Sequence, residues 1–269
     1  MTDRSIVKLK NGKLLFGWGE RMELNEPSLT YPCWFQTDFF LKEKRWYSHP
    51  FYAVVDSSEF LLNEGKKRAD WQPIKGFEPF FNESKGAIIA KKLDKIVPYT
   101  YQEANFTPNA PFMLNHLLQN NQELYLYGSW NDEEGFLGAT PEMLFEIYEN
   151  KIWVYAVAGT AAAPELFTMK EIDEHNWVVK GIQDRFKSYG TLTVHPREVR
   201  PFHTYFHLVT PIEFMGSTNP SFNELIDILH PTAALGSYPK EQGEKMLKRW
   251  DEIIERGIYG TPFGYMFNG

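Results

Sequence analysis

Short runs of apolar, aromatic and β-branched residues, broken by turn-forming pairs, dominate the first sixty positions. "SIVKLK" and "KLLFGWG" flank Asn11-Gly12, a dipeptide that suits the positive backbone angles of a tight hairpin, so two paired strands are expected there. "PCWFQTDFFL" and "PFYAVVDSSEFLL" extend the strand-like character through residue 62. The pattern then changes. Residues 77–94 read as a helix despite Gly86, and "KIVPYTYQEANF" reads as a strand whose Pro98 confines it to an edge or a bulge. "PFMLNHLLQNN" predicts a short helix. Residues 123–160 predict three strands, with turns at Asn131-Asp132 and Glu149-Asn150.

Helical periodicity returns over about 169–188, where Ile172, Val179, Ile182 and Phe186 recur on one face. "YFHLVTPIEFMG" predicts a strand and "FNELIDIL" a helix, followed by the loop "HPTAALGSYP". A last helix is expected over about 239–256, with Met246, Trp250 and Ile253 on one face and Gly257 as its stop. Strands and helices come in blocks rather than in strict alternation. The expected class is α+β, with layered, mostly antiparallel sheets and flanking helices. No repeat or low-complexity linker divides the chain, so residues 1–269 are expected to form one domain. Within it, 1–76 is a strand-rich N-terminal part and 77–269 carries the motifs.

Composition narrows the function. With 43% hydrophobic and 16% aromatic residues, 269 positions suffice for a sizeable core. A net charge of -7 argues against a general nucleic-acid binder, and a strongly anionic substrate would need local cations or a metal. The single cysteine, Cys33, allows no internal disulfide. No stretch approaches the roughly 20 apolar residues of a membrane helix, and the N-terminus lacks the apolar core of a signal peptide. A cytoplasmic protein is expected.

The densest chemistry lies in "AGTAAAPELFTMKEIDEHNWVVKGI", residues 158–182, where Glu171, Asp173, Glu174 and His175 crowd two helical turns. Thr168 and Glu171 have the spacing of a capping box, which assigns Glu171 a structural role. His175 falls on the apolar stripe and reads as a packed, hydrogen-bonded histidine. Glu174 lies off that stripe, near the positive end of the helix, and its local sequence alone favours a solvated carboxylate. Glu142 follows a Thr-Pro turn, where a general acid or an exposed glutamate fits. Lys95 opens a strand, His203 and His207 share one strand face by period two, and Asn105-Phe106-Thr107 has the pattern of a glycosylation sequon. No P-loop, nucleophile elbow or zinc spacing is present.

Taken in order, "LDKIVPY", "FLGATPEML", "AVAGT", "MKEIDEH", "FHLVTPIE", "ILHPTAALGSYP" and "ERGIYGTPFGY" resemble the chorismate-utilising enzymes. These are the isochorismate and salicylate synthases and component I of anthranilate and aminodeoxychorismate synthases. The likeness runs over roughly residues 77–269. It implies layered antiparallel sheets and helices around a central cleft, chorismate as ligand and Mg2+ as cofactor. Lys95 matches the lysine that activates water for attack at C2, and Glu142 the acid that protonates the departing C4 hydroxyl. Glu174 matches a magnesium ligand. Ala158, Gly159 and Thr160 match the turn that faces the substrate, and Gly264 the glycine of the last motif. His207 matches the histidine near the ring and its carboxylate.

A lysine at position 95 points to water as nucleophile and hence to an isochorismate synthase, in the biosynthesis of aromatic compounds. The alternative is component I of an amino-transferring synthase, fed with ammonia by a glutamine amidotransferase. The family continues beyond "YGTPFGYMFNG" with an arginine strand and a helix bearing further magnesium glutamates. Where this chain reads "AAAPELF" the family often has a basic loop. These departures imply a C-terminally incomplete enzyme, or a homologue that binds chorismate without turnover.

Overall fold

The structure is a computed structural model that describes residues 2–60, 70–72, 76–105, 109–120, 123–149, 151–216 and 219–267. The chain divides into two compact units, each drawn from separate stretches. The first comprises Met1–Trp71, Ala104–Pro141 and Thr261–Gly269, and the second Gln72–Glu103 and Glu142–Gly260. Later strands return to complete the N-terminal sheets, because a sheet needs ladder partners wherever in the chain they lie.

In the first unit, β1 (Arg4–Lys8) and β2 (Leu14–Trp18) form the hairpin expected around Asn11-Gly12. Gly12 holds φ +82 at its tip, a left-handed angle that glycine adopts without penalty. β3 (Met22–Leu24), β4 (Cys33–Thr37), β5 (Lys44–Ser48) and β6 (Phe51–Val55) follow. The helix α1 (Phe77–Ile89) and the strand β7 (Lys95–Ile96) belong to the second unit. The first resumes with α2 (Ala110–Asn120), β8 (Tyr125–Trp130) and β9 (Gly135–Thr140).

One sheet runs β6-β2-β1-β8-β9. A second joins β4, β5 and β3 to the last strand, β16 (Phe263–Met266), in the order β16-β4-β5-β3. Ile6, Leu14, Leu126 and Trp130 point to one face of the first sheet and pack with Leu114 and Leu117 of α2. Val7 and Leu15 point to the other face and meet Trp34, Tyr47, Phe263 and Tyr265 of the second sheet. Burial on both faces explains why these strands read as continuous apolar runs.

The second unit is built on β10 (Phe145–Tyr148), β11 (Lys151–Ala161), β12 (Thr191–Val194), β13 (Glu198–Phe202) and β14 (Tyr205–Met215). Its sheet runs β10-β11-β14-β12, and β13 also pairs with β14; all these ladders are antiparallel. Two helices, α3 (Met169–Phe186) and α4 (Phe222–Leu229), cover one face. Val178, Ile182 and Phe186 pack there with Ile152, Val154, Ile212, Phe214, Leu225 and Leu229. The strand β15 (Ser237–Tyr238) pairs with β7, and α5 (Lys240–Asp251) follows it. Trp250 of α5 stacks on Phe80 of α1 at 4.8 Å, and its indole N–H donates to Glu83 at 2.8 Å. The architecture is the expected α+β arrangement of antiparallel sheets with few helices. No helix among the described residues is long and apolar enough to cross a membrane.

Several local expectations are corrected. The helix expected to reach 94 ends at Ile89, where Lys91 takes the left-handed φ of +54 and the amides of 90–92 close onto the preceding carbonyls. "KIVPYTYQEANF" yields a two-residue strand, because Pro98 offers no ladder donor. Residues 123–160 form four strands rather than three, and β12 and β13 lack a clear signal of their own. The turn at Asn131-Asp132 is present; Asn150 lies outside the described residues, as does most of the Asn105 sequon. The last helix stops at Asp251, ahead of Gly257, and its buried side chains are Leu247 and Trp250 rather than Ile253, which is exposed. His203 occupies the β13–β14 turn at φ +55, so it does not share a strand face with His207.

Candidate active site

Lys95 begins at a strand edge, a position that usually leaves lysine in water, yet it is 7% exposed. Its neighbour is the loop between α4 and β15. The amide of Asp94 donates to Tyr238 O at 2.9 Å and that of Val97 to Gly236 O at 3.0 Å, which fixes strand and loop side by side. Lys95 Nζ then donates to Ala233 O at 2.6 Å and stands 3.5 Å from Glu174 Oε1. Burial lowers the Lys95 pKa from the ordinary lysine value, and the Glu174 carboxylate partly opposes this.

Glu142 follows the Thr140-Pro141 turn, as the sequence suggests, but it is not an exposed turn residue. It is half-buried, and Thr232 donates to its Oε1 at 3.2 Å. Protein crowding around the carboxyl pushes its pKa up to about 7; the Thr232 hydroxyl and the Lys95 charge pull the other way. Lys95 and Glu142 are thus both biased toward their neutral forms. A basic amine and a protonatable carboxyl in one electrostatic neighbourhood can take a proton from one group and give one to another.

Gly159 explains how α3 comes to lie here. The β11–β14 register slips between Ala158 and Thr160, leaving Gly159 as the extra residue of a bulge at φ +77. A Cβ on Gly159 would stand 2.7 Å from Glu171 O, so the absent side chain lets the first turns of α3 rest on the strand. Thr168 caps that helix by accepting from the Lys170 amide at 3.2 Å, while Glu171 accepts from the Thr168 amide at 2.9 Å. The Thr168 hydroxyl also donates to Glu171 Oε2 at 2.6 Å, and this bond, with that from the Thr168 amide, holds the Glu171 pKa down to about 2, in keeping with its capping role.

His175 is buried at 1% exposure, with Nδ1 3.2 Å from Ala158 O and Nε2 2.7 Å from Thr210 Oγ1. A carbonyl only accepts, so Nδ1 carries the hydrogen and Nε2 accepts from Thr210. Burial lowers its pKa to about 4, and its role is to tie α3 to the sheet. Beyond the bulge, Thr160 Oγ1 lies 3.0 Å from His207 Nδ1, and Phe202 packs edge-on against the imidazole at 5.5 Å. Burial also lowers the His207 pKa.

The second unit therefore gathers Lys95, Glu142 and Glu174 around one loop, and Ala158, Gly159, Thr160 and His207 at the bulge beside α3. Gly264 belongs to the first unit, on β16 opposite Phe35. Reading the sequence residue by residue missed Thr232 and Ala233. Their signal was the loop "HPTAALGSYP", but a hydroxyl and a backbone carbonyl carry no charge pattern to single them out.

A metal is a separate question. Glu174 offers one carboxylate, already facing Lys95, and Glu171 is committed to the cap and to Lys170 at 3.2 Å. Among the described residues no three His, Cys, Asp or Glu side chains converge as a metal-binding group. Mg2+ takes a near-octahedral set of oxygens. The described residues do not make that site by themselves.

The chain belongs to the chorismate binding enzyme family, whose model matches residues 61–268. It is 27% identical over 168 residues to the salicylate biosynthesis isochorismate synthase of Pseudomonas aeruginosa, covering 57% of this chain and 35% of that protein. It is 26% identical over 235 residues to the isochorismate synthase MenF of Bacillus subtilis, covering 81% of this chain and 48% of that one. The chain thus spans less than half the length of these curated relatives. Among solved structures, the menaquinone-specific isochorismate synthase MenF of Escherichia coli superposes with a TM-score of 0.75 at 19% identity, over 98% of this chain and 76% of that one.

Proposed function

We propose that this chain acts on chorismate as an isochorismate synthase, adding water at C2 with loss of the C4 hydroxyl. The observation that carries the proposal is the pairing of a buried, pKa-lowered Lys95 with a carboxyl, Glu142, whose pKa is raised to about 7. In this reading Lys95 takes a proton from water as its oxygen bonds to C2. The two ring double bonds each shift by one position, the C4–O bond breaks, and Glu142 gives its proton to the leaving hydroxyl, which departs as water. His207, held by Thr160, lies against the ring and its carboxylate, and the Ala158–Thr160 turn presents backbone to the substrate. The curated relatives named isochorismate synthases support this reading, as does the lysine at position 95. A cytoplasmic setting goes with the one cysteine, Cys33, which is buried and free.

The test is to incubate the purified chain with chorismate, with and without Mg2+ and with and without ammonia, and to separate the products by chromatography. Isochorismate independent of ammonia is expected. An ammonia-dependent amino product would move the assignment to component I of an amino-transferring synthase, for which a glutamine amidotransferase would be the partner. No turnover in any condition would overturn the reading and leave a chorismate-binding homologue without catalysis.

A further inference from the structure

The loop that touches both Lys95 and Glu142 is itself held from behind by two cations that the acid–base chemistry does not use. Arg185 of α3 donates to Leu229 O and, at 2.6 Å, to Pro231 O. Lys240, in the first turn of α5, donates to His230 O at 2.7 Å. Three successive carbonyls, 229 to 231, are therefore each capped by a positive side chain. The next two residues are Thr232, whose hydroxyl meets Glu142, and Ala233, whose carbonyl meets Lys95.

Carbonyls at the end of α4 lack helical partners and carry the negative end of the helix dipole, so cations suit them. Two cations side by side are nonetheless costly. Burial and mutual repulsion lower Lys240 to about 8, and burial lowers Arg185 to about 10, with Glu244 and Asp227 giving partial compensation. Apolar side chains would avoid burying charge but would leave carbonyls 229–231 without these donors. What the cations supply is a donor to each of these three carbonyls.

We propose that Arg185 and Lys240 are positioning residues: by clamping carbonyls 229–231 they set the Thr232 hydroxyl against Glu142 and the Ala233 carbonyl against Lys95. The effect on catalysis rests on the reading of the site given above; the effect on Glu142 does not.

The test compares Arg185→Met and Lys240→Met with Thr232→Val, which removes the hydroxyl directly. The midpoint of Glu142 is followed by carbon NMR of its carboxyl, assigned with Glu142→Gln, and needs no chorismate. Because the Thr232 bond lowers the Glu142 pKa, loosening the loop is expected to raise the midpoint in both clamp variants, in the direction set by Thr232→Val. With chorismate, kcat is expected to fall roughly tenfold, the scale of one displaced hydrogen bond, with KM within about twofold. A purely structural role would lower thermal stability and leave the Glu142 midpoint in place. That result, or an unmoved midpoint in Thr232→Val, would overturn the proposal. If Arg185→Met does not fold, Lys240→Met carries the test, since it leaves the Arg185 bonds intact. Absence of turnover in the unaltered chain would count against the proposed function alone, and the titration would still judge the clamp.

Discussion

Lys95 and Glu142 meet adjacent residues of one loop: the Lys95 ammonium donates to the Ala233 carbonyl at 2.6 Å, and the Thr232 hydroxyl donates to the Glu142 carboxyl at 3.2 Å. The two groups lie 47 positions apart in sequence and come from different elements, so the loop is what brings them into register.

Replacing Lys95 by methionine separates stability from activity. The ammonium is desolvated, and its carboxylate partner, 35% exposed, can turn to water when the lysine is gone. Thermal unfolding of Lys95→Met is therefore expected within a few degrees of the unaltered chain, or above it. Its chorismate turnover is expected to fall by roughly 10²–10⁴, the usual contribution of a general base. A large loss of stability with activity retained would contradict the role given to Lys95.

The pH dependence of stability carries two opposing signatures. Glu142 titrates near 4.5 when unfolded and about 7 when folded, so between those values the folded chain holds a proton the unfolded chain has released. Its contribution is present below pH 4.5 and is lost as pH rises through 7, by at most roughly 3 kcal/mol. His175 works in the other direction. Its pKa falls from 6.5 to about 4 on folding, so its contribution is present above 6.5 and is lost as pH falls toward 4. The two slopes offset each other between pH 4.5 and 6.5. Glu142→Gln should uncover a steady rise in stability from pH 4 to 6.5, read as urea midpoints. An unchanged profile in that variant would mean that Glu142 is not perturbed.

The His175 hydrogen bonds fix its tautomer. Nitrogen NMR of the imidazole should find the hydrogen on Nδ1 at neutral pH, with no protonation until well below pH 6. A ring hydrogen on Nε2 would show that the bond to Ala158 O is not made.

Gly159→Ala should weaken folding and impair turnover together. A left-handed alanine costs about 1–2 kcal/mol, and the new Cβ would press on Glu171 O at 2.7 Å, a backbone atom that moves only with α3. Urea denaturation measures the first effect and the chorismate assay the second. A variant as stable and active as the unaltered chain would show that the bulge does not set the seat of the helix.

Much of this was legible in the sequence, for identifiable reasons. The Asn11-Gly12 hairpin, the Thr168–Glu171 cap and the burial of His175 on an apolar stripe are local patterns, and local patterns survive folding. Lys95 and Glu142 were not local: taken alone, each reads as an exposed residue, and only the order of motifs along the chain singled them out. Ala233 and Thr232 stayed hidden because one contributes a backbone carbonyl and the other an unremarkable hydroxyl. The ends of α1 and α5 were misplaced because Lys91, not a glycine, takes the left-handed position after α1, and Gly257 serves a turn beyond the end of α5.

The central claim is that water enters the ring with Lys95 as its base, and isotope labelling tests it most directly. Chorismate converted by the chain in oxygen-18 water and sampled early by mass spectrometry should give isochorismate carrying one labelled oxygen, formed roughly 10²–10⁴ more slowly by Lys95→Met. Unlabelled isochorismate, or labelled product formed equally well without Lys95, would contradict the account.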